Sequence, residues 1–327
     1  MKTILVTGGA GYIGSHCCKA LATAGFQPVV YDNLSRGHAW AVKWGPLETG
    51  ELLDQERLSH VFDRYRPLAV IHLAALTFVG ESFADPLHYW RNNVLASHSL
   101  VESAMRAGVS NVVFSSSCAT YGVPDEIPLR VDAPQKPVSP YGNTKLAVEM
   151  LLRDMAPRGL KSAILRYFNA SGADPDGEIG ECHDPESHLI PRALQAAQGQ
   201  LPYLDIHGAD YPTPDGTCIR DYIHVSDLAD AHVLALQSLL DGRESFAACL
   251  GAGRGVSVRD VLTMIEQVTG RSIPVRIAPR RPGDLPVLLA DASEAAESLG
   301  FTPTRSDLRI IVETAWRWEC RATRDPA

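Results

Sequence analysis

No CxxC pair occurs in the 327 residues, and the seven cysteines, at 17, 18, 118, 182, 218, 249 and 320, are an odd number scattered along a long chain. This excludes a disulfide framework and points to a reducing compartment. Paired zinc spacings are missing too. The one loop with clustered ligand types, holding Cys182, His183 and His188, has neither CxxC nor HxxxH, so no metal is expected. Near the N-terminus only Ile4, Leu5 and Val6 run apolar before glycines begin, far short of a signal core or a membrane span. A cytoplasmic protein without membrane contact is the expectation. Basic charge is scarce: 30 Lys and Arg face 38 Asp and Glu, a formal net charge of -8, which argues against nucleic acid as a main ligand. Repeats, heptads and low-complexity tracts are absent. What remains, 45% hydrophobic and 21% charged side chains, is the balance of a globular protein with ample length for a core.

β-Branched apolar runs at 4–6, 29–31, 70–73, 112–115 and 163–166 alternate with stretches of helical period at 97–107 and 145–154. Such alternation predicts an α/β fold, a doubly wound parallel sheet covered on both faces. After Asn169 the chain turns to glycine, proline and acidic residues, and regular alternation fades. The reading therefore assigns 1–169, with about 220–240, to the sheet domain, and 170–219 with 241–327 to a smaller mixed α/β domain. The polar tail after Trp318 reads as frayed.

The run at 4–6 leads into glycines at 8, 11 and 14 at the start of a helical pattern. Glycines there let backbone N–H groups and a helix N-terminus approach a pyrophosphate, the Rossmann arrangement. Asp32, 18 residues past Gly14 at the end of the second apolar run, is placed to accept hydrogen bonds from ribose hydroxyls. That carboxylate favours NAD over NADP, although Arg36 nearby offers a cation for a 2′-phosphate. Tyr141 and Lys145, four apart at the start of a helical stretch, share one face. An ammonium beside a phenol favours the phenolate and brings a group of ordinary pKa about 10 toward the range of a general base. Ser115, Ser116 and Ser117 end the apolar run at the edge where such sheets bind ligands, and Ser117 is the candidate to pass or hold a substrate proton.

Together with these residues, the strings TGGAGYIGSH at 7–16, PYGNTK at 140–145, RYFN at 166–169, DYPTPDGTCIRDYIHVSDLA at 210–229 and RRPGD at 280–284 resemble the UDP-glucose (UDP-galactose) 4-epimerases of the extended short-chain dehydrogenase/reductase superfamily, over nearly the whole chain. The resemblance implies a Rossmann domain holding a non-exchanging NAD, a C-terminal UDP-sugar domain and a homodimer. It implies cofactor contacts at Gly8, Gly11, Tyr12, Ile13, Gly14, Asp32, Asn33, Glu51, Leu52, Leu73, Ala74, Asn92, Tyr141 and Lys145. Glu51 stands where the family usually has Asp, and Thr77 where a lysine is common. On the UDP-sugar side it implies Ser117, Tyr141, Phe168, Asn169, His188, Leu189, His207, Arg220, Arg281, Asp284 and Leu288. His188 replaces a common Asn, and His207 a common Phe that stacks on uracil. Leu288 matches a pocket-wall position that is a large Tyr in many hexose-only members. Two arginines facing a diphosphate make chemical sense, because planar guanidiniums bind phosphate oxygens in bidentate fashion.

The implied reaction is oxidation at sugar C4, with Tyr141 taking the O4 proton through or beside Ser117, rotation of the 4-keto sugar, and reduction on its other face. A UDP-xylose/UDP-arabinose 4-epimerase is the near alternative, since the wording at 117–122 and the residues at 77 and 207 suit that branch. Sugar-nucleotide dehydratases carry an acidic residue after the strand-end hydroxyl, where this chain has Cys118 and Ala119. A non-catalytic NAD-binding sensor has no need to keep Tyr141, Lys145 and Ser117 together.

Overall fold

In the first half of the chain the β-branched runs become strands because each is apolar on both faces and has helices above and below to bury it. The computed structural model describes residues 2–281 and 283–322. Thirteen strands run through them: β1 (Lys2–Thr7), β2 (Phe26–Asp32), β3 (Leu47–Thr49), β4 (Ala69–His72), β5 (Asn111–Ser117), β6 (Lys161–Tyr167), β7 (Asn169–Ser171), β8 (Leu204–His207), β9 (Ile219–His224), β10 (Phe246–Leu250), β11 (Gly255–Ser257), β12 (Val275–Ala278) and β13 (Val287–Leu288). Seven of them form one parallel sheet in the order β10-β6-β5-β4-β1-β2-β3. Its register pairs Leu5 with Val29 on one side and with Val70 on the other.

Successive side chains of a strand point to opposite faces, so each strand feeds two cores. Ile4, Val6 and Val30 pack with Leu21, Leu228 and Leu236 of helices Tyr12–Thr23 and Val225–Leu240. Leu5, Val29 and Val70 pack instead with Leu58, Leu100 and Val148 of helices Gln55–Tyr65, Ala96–Arg106 and Pro140–Met155. From β1 the chain winds outward through β2 and β3, then crosses back to β4 on β1's other side. Ligand crevices open at such a reversal, beyond the carboxyl ends of the strands.

A smaller unit sits over that edge. There β8 pairs with β12, and β9 is flanked by β11 and β13 and also pairs with β7. Helices Leu189–Ala197, Val258–Thr269 and Leu308–Ala322 share a core of Ile190, Leu194, Ile206, Val261, Ile265, Ile311 and Val312.

Three sequence-based expectations need correction. Residues from 241 onward were expected in the smaller unit, yet β10 closes the large sheet beside β6, and Ala295 and Phe301 pack into the large sheet's core. Five residues containing two alanines carry little strand signal, and a strand supplied from a distant part of the chain leaves no local trace. Within 220–240 the helix covers the large sheet, but β9 belongs to the four-stranded sheet. Lastly, the helix of Trp318 continues to Ala322, and 323–327 lie outside the described residues. Among the described residues no helix is long and apolar enough to cross a membrane.

Candidate active site

Strand β1 delivers the chain into a turn that only glycine can make. Gly8 has φ of 73°, and a Cβ there would lie 2.6 Å from the Ala74 nitrogen beyond β4. At Gly14 a Cβ would meet the Gly8 carbonyl oxygen at 2.0 Å. Helix Tyr12–Thr23 follows at once, and its N-cap, Gly11, offers no side-chain acceptor and no acidic residue stands in the first turn. Its first N–H groups and the positive end of its dipole are thus left for an anion from the cleft. Asp32 is buried behind the turn, where its carboxylate accepts from Ala10 N at 3.0 Å and Leu34 N at 2.8 Å. Burial pushes its pKa up against those two bonds. Beside it the Asn33 amide donates to both oxygens of Glu51, at 3.1 and 3.2 Å. Leu73 and Ala74 both donate their amides to the Thr7 carbonyl, which sets their backbone against the glycine turn. An uncapped helix start, a turn with no room for side chains and a carboxylate at the end of β2 together fit a dinucleotide. Arg36 is engaged by Glu81 at 2.7 Å and lies over the Phe78 ring, so it is no free cation for a 2′-phosphate.

Ser139 caps helix Pro140–Met155 by accepting from Gly142 N at 3.1 Å, and Pro140 fills the first turn. One turn in, Tyr141 and Lys145 are both buried on the face that meets β5. The Lys145 ammonium donates to the Ser115 carbonyl at 2.7 Å and lies 5.9 Å from the Tyr141 ring centre. Of the three serines, Ser115 is bonded to His232 and Ser116 to Glu149, while Ser117 lines the cleft. The electrostatics depart from the sequence-based expectation of a phenol lowered by its ammonium. Burial raises Tyr141 to about 12, against a lowering hydrogen bond with Ser117, and burial lowers Lys145 to about 7, against the pull of Glu149. Desolvation dominates both shifts, so the resting pair is a neutral phenol beside an ammonium close to its titration point.

On the other wall Asn169 donates to the Asp221 carbonyl at 2.9 Å, and Phe168 packs with the half-buried Leu288. Leu288 is thus both core residue and cleft wall. Strand β9 carries Arg220, whose guanidinium donates to the Leu285 carbonyl at 2.7 Å and lies 3.6 Å from Asp284. His207 ends β8 with its ring 3.3 Å from the Pro279 carbonyl, and His188 precedes helix Leu189–Ala197. All residues predicted for cofactor, sugar nucleotide and chemistry line one cleft of about 1510 Å³, as does Thr77. Sequence reasoning missed Arg192, Tyr167, Phe78 and Glu181 on the same walls. Tyr167 stands inside the RYFN string and Glu181 ends the string IGE at 179–181, but Arg192 and Phe78 carry no local signal. Arg192, one turn beyond His188 and donating to the Glu186 carbonyl, is a third guanidinium on the sugar-nucleotide side.

Residues 4–248 match the model of the NAD dependent epimerase/dehydratase family. The chain belongs to this family. Within it the chain is similar to the UDP-glucose 4-epimerase of Rhizobium meliloti (strain 1021), 51% identical over 98% of each chain. The UDP-glucose 4-epimerase of Brucella ovis, solved in complex with NAD, is 54% identical with a TM-score of 0.95 over 97% of this chain and 98% of that one. That of Stenotrophomonas maltophila, solved with NAD and formylated UDP-arabinopyranose, is 42% identical with a TM-score of 0.96 over 99% of both.

Proposed function

We propose that this chain is an isomerase that interconverts UDP-glucose and UDP-galactose by transient oxidation and reduction at sugar C4. The observation that carries this is the convergence of Tyr141, Lys145 and Ser117 on the cleft that also holds the glycine turn and Arg220. Bound NAD supplies the hydride acceptor and donor, and a positive charge in its oxidised form. The glycine turn and the helix start at Tyr12 hold its pyrophosphate, and Asp32 its ribose. Arg220 and Arg281 grip the substrate diphosphate, while Asn169 and Phe168 bound the sugar. With positive charge close by, Tyr141 gives its phenolic proton to solvent and Lys145 steadies the phenolate, which takes the O4 proton directly or through Ser117, whose hydroxyl gives up its own proton as it takes the substrate's. Returning that proton after the sugar has turned leaves the residues as they began, so the reaction is redox-neutral.

Cys118 and Ala119 follow Ser117 on a short turn, where elimination chemistry needs a carboxylate, which disfavours a dehydratase. A UDP-pentose 4-epimerase is the second reading, favoured by Thr77 and His207 in the cleft and by the UDP-arabinopyranose derivative bound to the Stenotrophomonas protein. Cys17, Cys18, Cys118, Cys182, Cys218 and Cys249 are free thiols, which supports the cytoplasm as its place.

The test is incubation of pure protein with UDP-glucose, UDP-galactose and the two UDP-pentoses, without added cofactor, followed by separation of the 4-epimers. Hexose epimerisation with NAD released only on denaturation is expected. Accumulation of NADH in step with product would overturn the redox-neutral reading, and turnover of pentoses alone would give the site to the second.

A further inference from the structure

Beyond the epimerase chemistry, the segment following β7 gathers a donor set on the cleft wall that includes His188 of the sugar-nucleotide side. Glu181, His183, Glu186 and His188 each bring one ligand atom to within 4.8 Å of all the others. Nδ1 of His183 lies 3.3 Å from Oε1 of Glu181 and 3.3 Å from Oε2 of Glu186, and Nδ1 of His188 lies 3.3 Å from the other Glu186 oxygen, Oε1. Zinc bonds to nitrogen and oxygen of about 2.0–2.1 Å put tetrahedral ligands about 3.3 Å apart, the edge length found here. The fourth contact, His188 to Glu181 at 2.6 Å, is closer, and the half-exposed His188 ring has room to open it.

The second observation is the Glu181 carboxylate itself. It is 93% buried, and its Oε1, which faces both imidazoles, has no hydrogen-bond partner of acceptable geometry. Apart from the two imidazoles it faces, that oxygen has no donor, and a cation held among the four groups satisfies a buried acceptor that the imidazoles meet only in poor geometry. Glu186 is already fixed by the Ser187 and His188 amides, both at 2.7 Å on its Oε1, and the Phe78 ring packs edgewise on His183. Fixed carboxylates and an apolar cover are what hold a metal site in shape. The other described carboxylate cluster, Asp174, Asp176 and Glu178, is a contrast, because the Lys19 ammonium already fills it at 2.7–2.8 Å.

We propose that Glu181, His183, Glu186 and His188 form a binding site for one divalent transition cation of the zinc class, four-coordinate through two imidazoles and two carboxylates. Two imidazoles select zinc-like over hard cations, and two carboxylates match the double charge. All four ligands come from residues 181–188, so the cation braces the wall of the cleft just before helix Leu189–Ala197 without bridging to the glycine turn. The sequence expectation of no metal missed it because the carboxylates, not the neighbouring Cys182, complete the set. Cys182 is exposed and contributes no ligand atom to the group.

The experiment uses the full-length protein, stripped with a chelator and titrated calorimetrically with zinc chloride. One zinc per chain is expected, with affinity falling about tenfold or more in His183→Gln and in Glu186→Gln. Cys182→Ser and His98→Gln should bind as the unaltered protein does. Cobalt(II) loaded into the unaltered protein should give the strong visible absorption of a four-coordinate ion, a readout that needs no variant to fold. No saturable binding, binding unchanged in both ligand variants, loss in Cys182→Ser, or the weak spectrum of six-coordinate cobalt would each overturn the site.

Discussion

At the scale of single residues, burial is the force that sets the candidate chemistry. Tyr141 stands at about 12 because it is buried, so its usefulness as a base depends on positive charge brought close during the reaction. Tyr141→Phe removes the proton acceptor while keeping the ring's packing. The expected result is a fall in kcat of about 10²–10⁴-fold with KM for the UDP-sugar little changed, read from steady-state kinetics. A near-normal rate would move the base elsewhere. Lys145 is the companion case. The folded chain releases its proton at about pH 7, whereas an unfolded lysine keeps it to about 10.5. Folding therefore bears a full penalty for the buried charge below pH 7, and the penalty fades as pH rises toward 10.5. Lys145→Met should melt higher than the unaltered protein at pH 6, with the gap narrowing steadily toward pH 10, while activity is lost. A gap that does not change with pH would show that burial of charge is not what Lys145 contributes to stability. Glycines 8, 11 and 14, Asp32 and the Tyr141/Lys145 pair were legible in the sequence because each chemical requirement is met within a few residues. The Glu149–Arg166 pair beneath them was not, although Arg166 donates to both carboxylate oxygens at 2.8 and 3.0 Å, because its partners meet only through the sheet.

At the scale of elements, the site depends on how a strand hands over to a helix. The uncapped start of helix Tyr12–Thr23 costs stability that a bound anion repays, and it exists only because the turn packs backbone on backbone. In Gly14→Ala the new methyl collides with the Gly8 carbonyl and must push the turn open. The variant should lose copurifying NAD and about 1–3 kcal/mol of stability, measured by cofactor release on denaturation and by urea titration. Full NAD occupancy would show that the turn yields without harm to the cofactor site. Long periodic elements such as helix Pro140–Met155 were foreseen from the sequence, and short strands such as β7, β11 and β13 were not. Strands of two or three residues owe their existence to β9 beside them, and no propensity of their own announces them.

At the scale of the whole molecule, the two units are tied by contacts made near the site. Tyr12 donates its hydroxyl to the Gly172 carbonyl at 2.6 Å, and Lys19 of the same helix reaches Asp174 at 2.8 Å. The cofactor turn and the opposite wall thus share one helix. A further surface adjoins the cleft, whose lining Phe83 also joins. The segments from Val79 to Leu95 pack against helix Pro140–Met155 and leave Phe83, Leu87, Leu95 and Met150 mostly in solvent, Leu87 with 79% of its surface exposed. Large apolar side chains gathered on neighbouring helical segments are the usual mark of a surface covered in solution, and a second copy of this chain is the occupant that the family resemblance implies. Light scattering on the unaltered protein should give twice the chain mass, and Leu87→Glu combined with Met150→Glu should give the single-chain mass. Because every candidate site residue lies in one chain's own cleft, the separated variant should still release NAD on denaturation. A monomeric unaltered protein, or a dimer indifferent to two buried charges, would assign these side chains to the surface of a monomer.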